Sequence, residues 1–211
     1  EDHQIEKDME SSFNYLNHHF FVFAIGMIII FGFQFYYGFP VGDTVDMSNF
    51  TFQLANYKDG GNAYGIFTAM FIHAGFDHII LNLIFLYPFT LITSLIIRDE
   101  IYFSVVLFTG LLAGIFSYFL NELPSLGASG WIFGIFGFLT PYYLYNRAYL
   151  GSNVQDIPWV FLFVAVYTVL QGISDPYIDN VAHIIGFLSG IGYGFIYFKY
   201  YYSSKQKILS N

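Results

Sequence analysis

VAHIIGFLSGIGYGFIYFKYYY, residues 181–202, decides the fold. The stretch holds a single Lys or Arg, Lys199, near its end, and no Asp or Glu. A bilayer core takes roughly 20 predominantly apolar residues in a helix. The stretch therefore reads as a membrane-spanning helix. It also carries His183, followed by Gly186, Gly190 and Gly194. At about 100° per residue these glycines lie within roughly 60° of His183. Small residues spaced by four let helix backbones approach closely in a membrane. This span thus predicts a tight helix contact with a histidine centred on it.

Five more stretches read the same way: 20–37, 66–87, 101–120, 129–145 and 158–171. The expected fold is all-α, a membrane bundle of six transmembrane helices over 18–202. An acidic N-terminal tail (1–17) precedes it and a C-terminal tail (203–211) follows. Composition agrees. Hydrophobic residues make up 56% of the chain and charged ones 10%, against about 25% charged in soluble domains. The net charge of −8 says little about partners, because Glu1, Asp2, Glu6, Asp8 and Glu10 crowd the first ten residues. Seven Lys and Arg make no basic patch, so no nucleic-acid partner is expected. There is no cysteine, which excludes disulfides, thiolate metal sites and a cysteine nucleophile. The chain opens at Glu1 rather than Met, as a trimmed or processed chain would. No cleavable signal peptide is expected, since acids rather than a basic segment precede the first apolar run.

The connection 38–65 is long, with Pro40, Gly42, Gly60 and Gly61, and loops of this length are usually functional or disordered. Basic residues set the orientation. With both termini cytoplasmic, Lys7, Arg98, Arg147, Lys199, Lys205 and Lys207 lie inside and only Lys58 outside.

Ionisable side chains in hydrocarbon are functional candidates by default. Within the spans these are His73, Asp77, His78 and His183, joined by the polar Asn82 and Gln34. Gly127-Ala128-Ser129-Gly130 opens the fourth span after Pro124. Ser129 is then at a helix N-terminus, where backbone N–H groups and the helix dipole favour developing negative charge. On its own such a serine is more often a helix cap. Gly130, Gly134 and Gly137 give the fourth span a glycine face matching that of the sixth. Packing the two faces brings His183 beside Ser129. His78 and Asn82 are i and i+4 on the second span, share a face, and can aim donors at an oxyanion. A metal site at His73, Asp77 and His78 is the weaker alternative, having no H-E-x-x-H and no cysteine. Neither a metal nor another cofactor is expected.

At these residues the sequence resembles the rhomboid family of intramembrane serine proteases. The resemblance rests on G-x-S-G opening the fourth span, A-H-x-x-G-x-x-x-G in the sixth and His73-x4-His78-x3-Asn82 in the second. It covers about 18–202. It implies a six-helix bundle around a cavity open to the outside, with Ser129 as nucleophile and His183 as base in a dyad without aspartate. The oxyanion hole would be the Ser129 N–H with the His78 and Asn82 side chains. Gly127, Gly130, Phe133 and Asn180 would support the site. The 38–65 connection would be the membrane-embedded first loop, and the fifth span with 172–180 the gate and cap. Two positions depart from the pattern. Tyr64-Gly65 stands where many members carry Trp-Arg, and Phe133 where some carry a tyrosine stacked on the catalytic histidine.

A serine hydroxyl is a weak nucleophile until a base takes its proton, and a neutral His183 is such a base. The expected partners are the lipid bilayer and single-span membrane proteins, cut near their outer boundary at helix-weak sites after a small residue. The expected location is a prokaryotic inner membrane, multi-pass. A pseudoprotease that binds membrane helices is the second reading. A small channel or transporter is the third, though no inverted repeat is visible.

Overall fold

The structure, a computed structural model, describes residues 2–37, 54–55, 63–146, 157–175 and 177–209. Six long helices run through them: α1 (Asp2–Tyr37), α2 (Phe76–Ser94), α3 (Asp99–Leu120), α4 (Ser129–Asn146), α5 (Ile157–Ser174) and α6 (Asn180–Leu209). The backbone of 2–17, expected as a tail, continues α1, and that of 203–209 continues α6. The expected first loop lies outside the described residues except at 54–55 and 63–65. Lys58 and Arg147 also lie outside them.

Among the described residues, four segments are long and apolar enough to cross a bilayer: His18–Tyr37, Phe76–Ser94, Asp99–Leu120 and Asn180–Tyr201. Their outer faces suit lipid. On α1, Phe21, Val22, Ile25, Ile28, Ile29 and Phe33 are each more than half exposed, an apolar stripe far beyond scattered surface residues. α4 is less apolar, diluted by its glycines, Thr140, Pro141 and tyrosines. It is also the most enclosed helix, with Gly130, Trp131, Ile132, Gly134, Ile135, Phe136, Gly137, Phe138 and Leu139 all buried. Its neighbours shield it from lipid, so it needs less hydropathy than they do.

The second span starts at Phe76, not at 66 as expected. Residues before it break into a short helix (Gly65–Thr68), a 3₁₀ turn (Ala69–Phe71) and an extended stretch through Gly75 (φ −178°, ψ 175°). Contacts from other helices hold this break. The Gln34 amide of α1 donates to the His73 carbonyl and accepts the His73 N–H, both at 3.0 Å. The Trp131 indole donates to the Met70 carbonyl at 3.1 Å, and the Gly127 N–H to the Ala69 carbonyl at 2.8 Å. Buried backbone groups must be paired somewhere, and here partners from α1, α4 and the loop before α4 supply what a continuous helix would. His73 therefore sits in the extended stretch rather than on α2.

α6 packs most extensively on α4 and next on α3. The glycine faces explain how. A Cβ on Gly186 would strike the Gly130 carbonyl oxygen, one on Gly190 the Gly134 carbonyl, and one on Gly137 the Phe187 carbonyl. The two backbones touch directly. On the far side of α4, Gly134 lies beneath Thr109 of α3. At the start of α3, Asp99 draws in His18 and His19 of α1, each Nε2 3.2 Å from a carboxylate oxygen.

Gly186→Leu should therefore lower the melting temperature in detergent, at a cost of about 1–3 kcal/mol or more for overpacking. Gly192→Ala, where an added Cβ meets nothing within 4 Å, should melt at or slightly above wild type, by about 0.5–1 kcal/mol of helix propensity. Equal melting of the two variants would count against the backbone contact.

Candidate active site

The loop before α4 turns on Gly127, whose φ of +124° is open to glycine and rarely to other residues. The same glycine admits His78. A Cβ there would lie 2.7 Å from both Cε1 and Nε2 of the His78 ring and 3.8 Å from Ser129 Oγ. Ser129 then begins α4, where first-turn N–H groups have no intrahelical acceptor.

His183 reaches this point from α6. Its Nε2 lies 2.8 Å from Ser129 Oγ. The imidazole is 6% exposed and stacks on Phe133 of α4, with centroids 4.5 Å apart and planes 9° apart. When Nε2 accepts the Ser129 hydroxyl proton, the ring's own proton is on Nδ1. That atom is buried with no hydrogen-bond partner among the described residues. Among the described residues no carboxylate bonds this ring from behind; the stacked Phe133 and the helix orient it.

His78 has its tautomer set by the backbone. The Ala74 N–H donates to Nδ1 at 3.3 Å, so the neutral ring carries its proton on Nε2, the atom beside Gly127. Asn82, buried on the next turn, donates one amide hydrogen to the His78 carbonyl at 2.8 Å. Its second amide hydrogen is left for the cavity. Ser129, His183, His78, Asn82 and Phe133 all line one cavity of about 400 Å³. Most of the remaining lining is apolar, including Leu81, Phe85, Phe89, Phe136 and Ala165. Asp175, Tyr177 and Asp179 stand on the segment before α6.

The remaining expected site residues are placed as follows. Gly130 packs against Ala113 of α3 and Ala182 of α6, letting those helices close around Ser129. Asn180 turns to α5, where its Nδ2 donates to the Val169 carbonyl at 3.0 Å and its side chain fills the space over Gly172. His73 and His78 meet edge to face at 5.1 Å. They form no three-ligand metal group with Asp77; among the described residues that geometry occurs at His18, His19 and Asp99. Sequence reasoning missed Asp179, Ser125 and Ser117. Ser125 and Ser117 both donate to Asp179 Oδ2, and no local sequence pattern links these three residues.

Fold and site together define a multi-pass helical membrane protein with a serine–histidine pair in a largely apolar cavity. Residues 60–200 match the rhomboid domain, and the chain belongs to the rhomboid family. It is similar to the mitochondrial RHOMBOID-like protein 6 of Arabidopsis thaliana, 32% identical over 144 residues that cover 65% of this chain and 44% of that protein. The putative rhomboid protease YdcA of Bacillus subtilis (strain 168) is 25% identical, over 64% of this chain and 68% of its own length. Inactive rhomboid protein 2 of Homo sapiens is 29% identical, over 65% of this chain and 16% of its own length. The chain spans less than half the length of the Arabidopsis relatives it matches.

Gly127→Ala should lower stability by about 1–3 kcal/mol, the range for a residue forced into sparse backbone space, and push His78 off the loop. Thermal unfolding in detergent and the labelling rate of Ser129 by a fluorophosphonate read the two effects. Wild-type values in both would contradict the geometry.

Proposed function

We propose that the chain is an intramembrane serine endopeptidase, with Ser129 as nucleophile and His183 as its general base. The observation that carries this is the 2.8 Å contact between Ser129 Oγ and His183 Nε2. It lies within the hydrogen-bond reach a nucleophile–base pair needs. The bundle is read as six spans with both termini cytoplasmic, in a prokaryotic inner membrane. The relatives named as proteases support the activity.

In the proposed reaction Oγ attacks the scissile carbonyl carbon while its proton moves to His183 Nε2. The oxyanion formed accepts hydrogen bonds from the Ser129 N–H, from His78 Nε2–H and from the second Asn82 amide hydrogen. The C–N bond then breaks, and the imidazolium gives its proton to the leaving amine. Water next attacks the acyl-serine and passes a proton to His183, which returns it to Oγ as the acid product leaves. Phe133 keeps the ring in register, and Gly127 and Gly130 let His78 and α6 come close. Phe85, Phe89 and Phe136 suit an apolar substrate segment, unwound so that its carbonyl is free. The substrates proposed are single-span proteins, cut near the outer membrane boundary after a small residue.

α5 supports a gate. Among the described residues it contacts the bundle less than the other long helices do, and Trp159, Phe163, Tyr167, Leu170 and Ile173 on it are exposed. Asn180 ties its end to α6. The human relative named inactive keeps a second reading in view, a helix-binding protein that does not cut. The intact Ser129–His183 contact weighs against it.

Ser129→Ala, reconstituted in lipid with a single-span substrate, should lose cleavage and fluorophosphonate labelling while melting as wild type does. Wild-type protein that neither labels nor cuts would favour the helix binder. Loss of His78 or Asn82 should lower kcat by about 10²–10³-fold, as removal of an oxyanion donor does, with folding retained. A full-rate Asn82→Ala variant would remove Asn82 from the oxyanion role.

A further inference from the structure

We infer that Asp179 is a positioning residue that holds Ser129 and His183 in register by gathering three parts of the fold on one carboxylate; this rests on the role proposed above for that pair. Asp179 immediately precedes α6. Its Oδ1 accepts the Ala182 N–H at 2.8 Å, as a helix cap does. Its carbonyl accepts the His183 N–H at 3.2 Å, so the base stands one turn beyond it.

Capping alone would leave the second oxygen idle. Instead Oδ2 accepts the Ser117 hydroxyl of α3 at 2.5 Å and the Ser125 hydroxyl of the loop before α4. Ser117 in turn accepts from the Asn121 amide at 3.1 Å. These partners are 62 and 54 residues away in sequence. Ser125 is four residues before Ser129, and Asp179 four before His183. The carboxylate therefore closes a short ring of covalent and hydrogen bonds whose far side is the 2.8 Å contact of the reactive pair. A plain cap would be served by Ser, Thr or Asn. Only a carboxylate offers acceptor oxygens on both sides of the ring at once, since an amide accepts at oxygen and only donates at nitrogen.

Asp179→Asn is the discriminating variant. The amide oxygen can cap α6 or receive the two hydroxyls, but not both; its NH2 meets the serine oxygens only if both hydroxyls turn round, so the ring is perturbed while the cap is kept and the protein should fold. Small misplacements of reacting groups cost up to about 10²-fold. We expect kcat and the fluorophosphonate labelling rate to fall together by about 10- to 100-fold, with KM changed by less than about two-fold, the pattern of an interaction needed in the transition state. Ser125→Ala, which is not part of the reacting set, should slow labelling by a smaller factor of about three to ten, the worth of one hydrogen bond. The double variant should be no slower than Asp179→Asn, because residues in one network are not additive. Wild-type kcat in Asp179→Asn, a change confined to KM, or additive losses in the double variant would each overturn the inference. If Asp179→Asn fails to fold, Ser125→Ala still decides, and unchanged labelling there overturns it. Wild-type protein that does not label at all, measured first, marks failure of the proposed activity rather than of Asp179 alone.

Discussion

Direct backbone contact between α4 and α6 is the constraint on which the rest depends. Two helices normally stand 8–10 Å apart because side chains separate them. Here the carbonyls of Gly130 and Gly134 occupy the space where side chains of Gly186 and Gly190 would be. Without a hydrophobic driving force between helices in lipid, such close van der Waals packing is what holds them together. The same contact brings the first residue of α4 against the first turn of α6. Ser129 and His183 meet because both stand at the start of helices that cannot be slid apart without a collision.

That placement explains why the surrounding irregular backbone is tolerated. A break in helical structure at membrane depth is viable only where protein re-pairs the exposed backbone groups. The segment before α2 is such a break, and Gln34, Gly127 and Trp131 re-pair it. The same bonds fix the Ser129 loop to the segment that carries Ala74, which in turn sets the His78 tautomer. One set of hydrogen bonds thus pays the structural debt of the break and orients the oxyanion donors proposed above.

Much of this could be read in the sequence, for reasons that can be named. Glycines at 130, 134, 137, 186, 190 and 194 follow helical spacing, and period is the strongest sequence signal. Ser129, His183, His78 and Asn82 stand out because polar residues are rare in an apolar chain. The start of α2 was not legible. Residues 66–71 are as apolar as any helix, and the break depends on Gln34, some forty residues upstream. The weak hydropathy of α4 also misleads if every span is assumed to face lipid, since burial among helices relaxes that demand. Asp179 was hidden for a related reason. An acid before a helix reads as a cap, and nothing local announces that Ser117 and Ser125 will converge on it.

That the dyad proposed above has no carboxylate partner is the remaining physical question, and the bilayer supplies an argument for it. A buried ion pair must repay the desolvation of both charges, several kcal/mol per ion even after relaxation. Placing a carboxylate against His183 Nδ1 inside the bundle would incur that cost in the resting state. Phe133 orients the imidazole by parallel contact at 4.5 Å, with no charge to desolvate. The aspartate that is present lies one turn back, at the helix end, where N–H and O–H donors satisfy both its oxygens. Orientation of the ring by packing and register of the helices by a fully bonded carboxylate are thereby separated. A bundle in lipid can accommodate each of these more readily than a charged triad in its core.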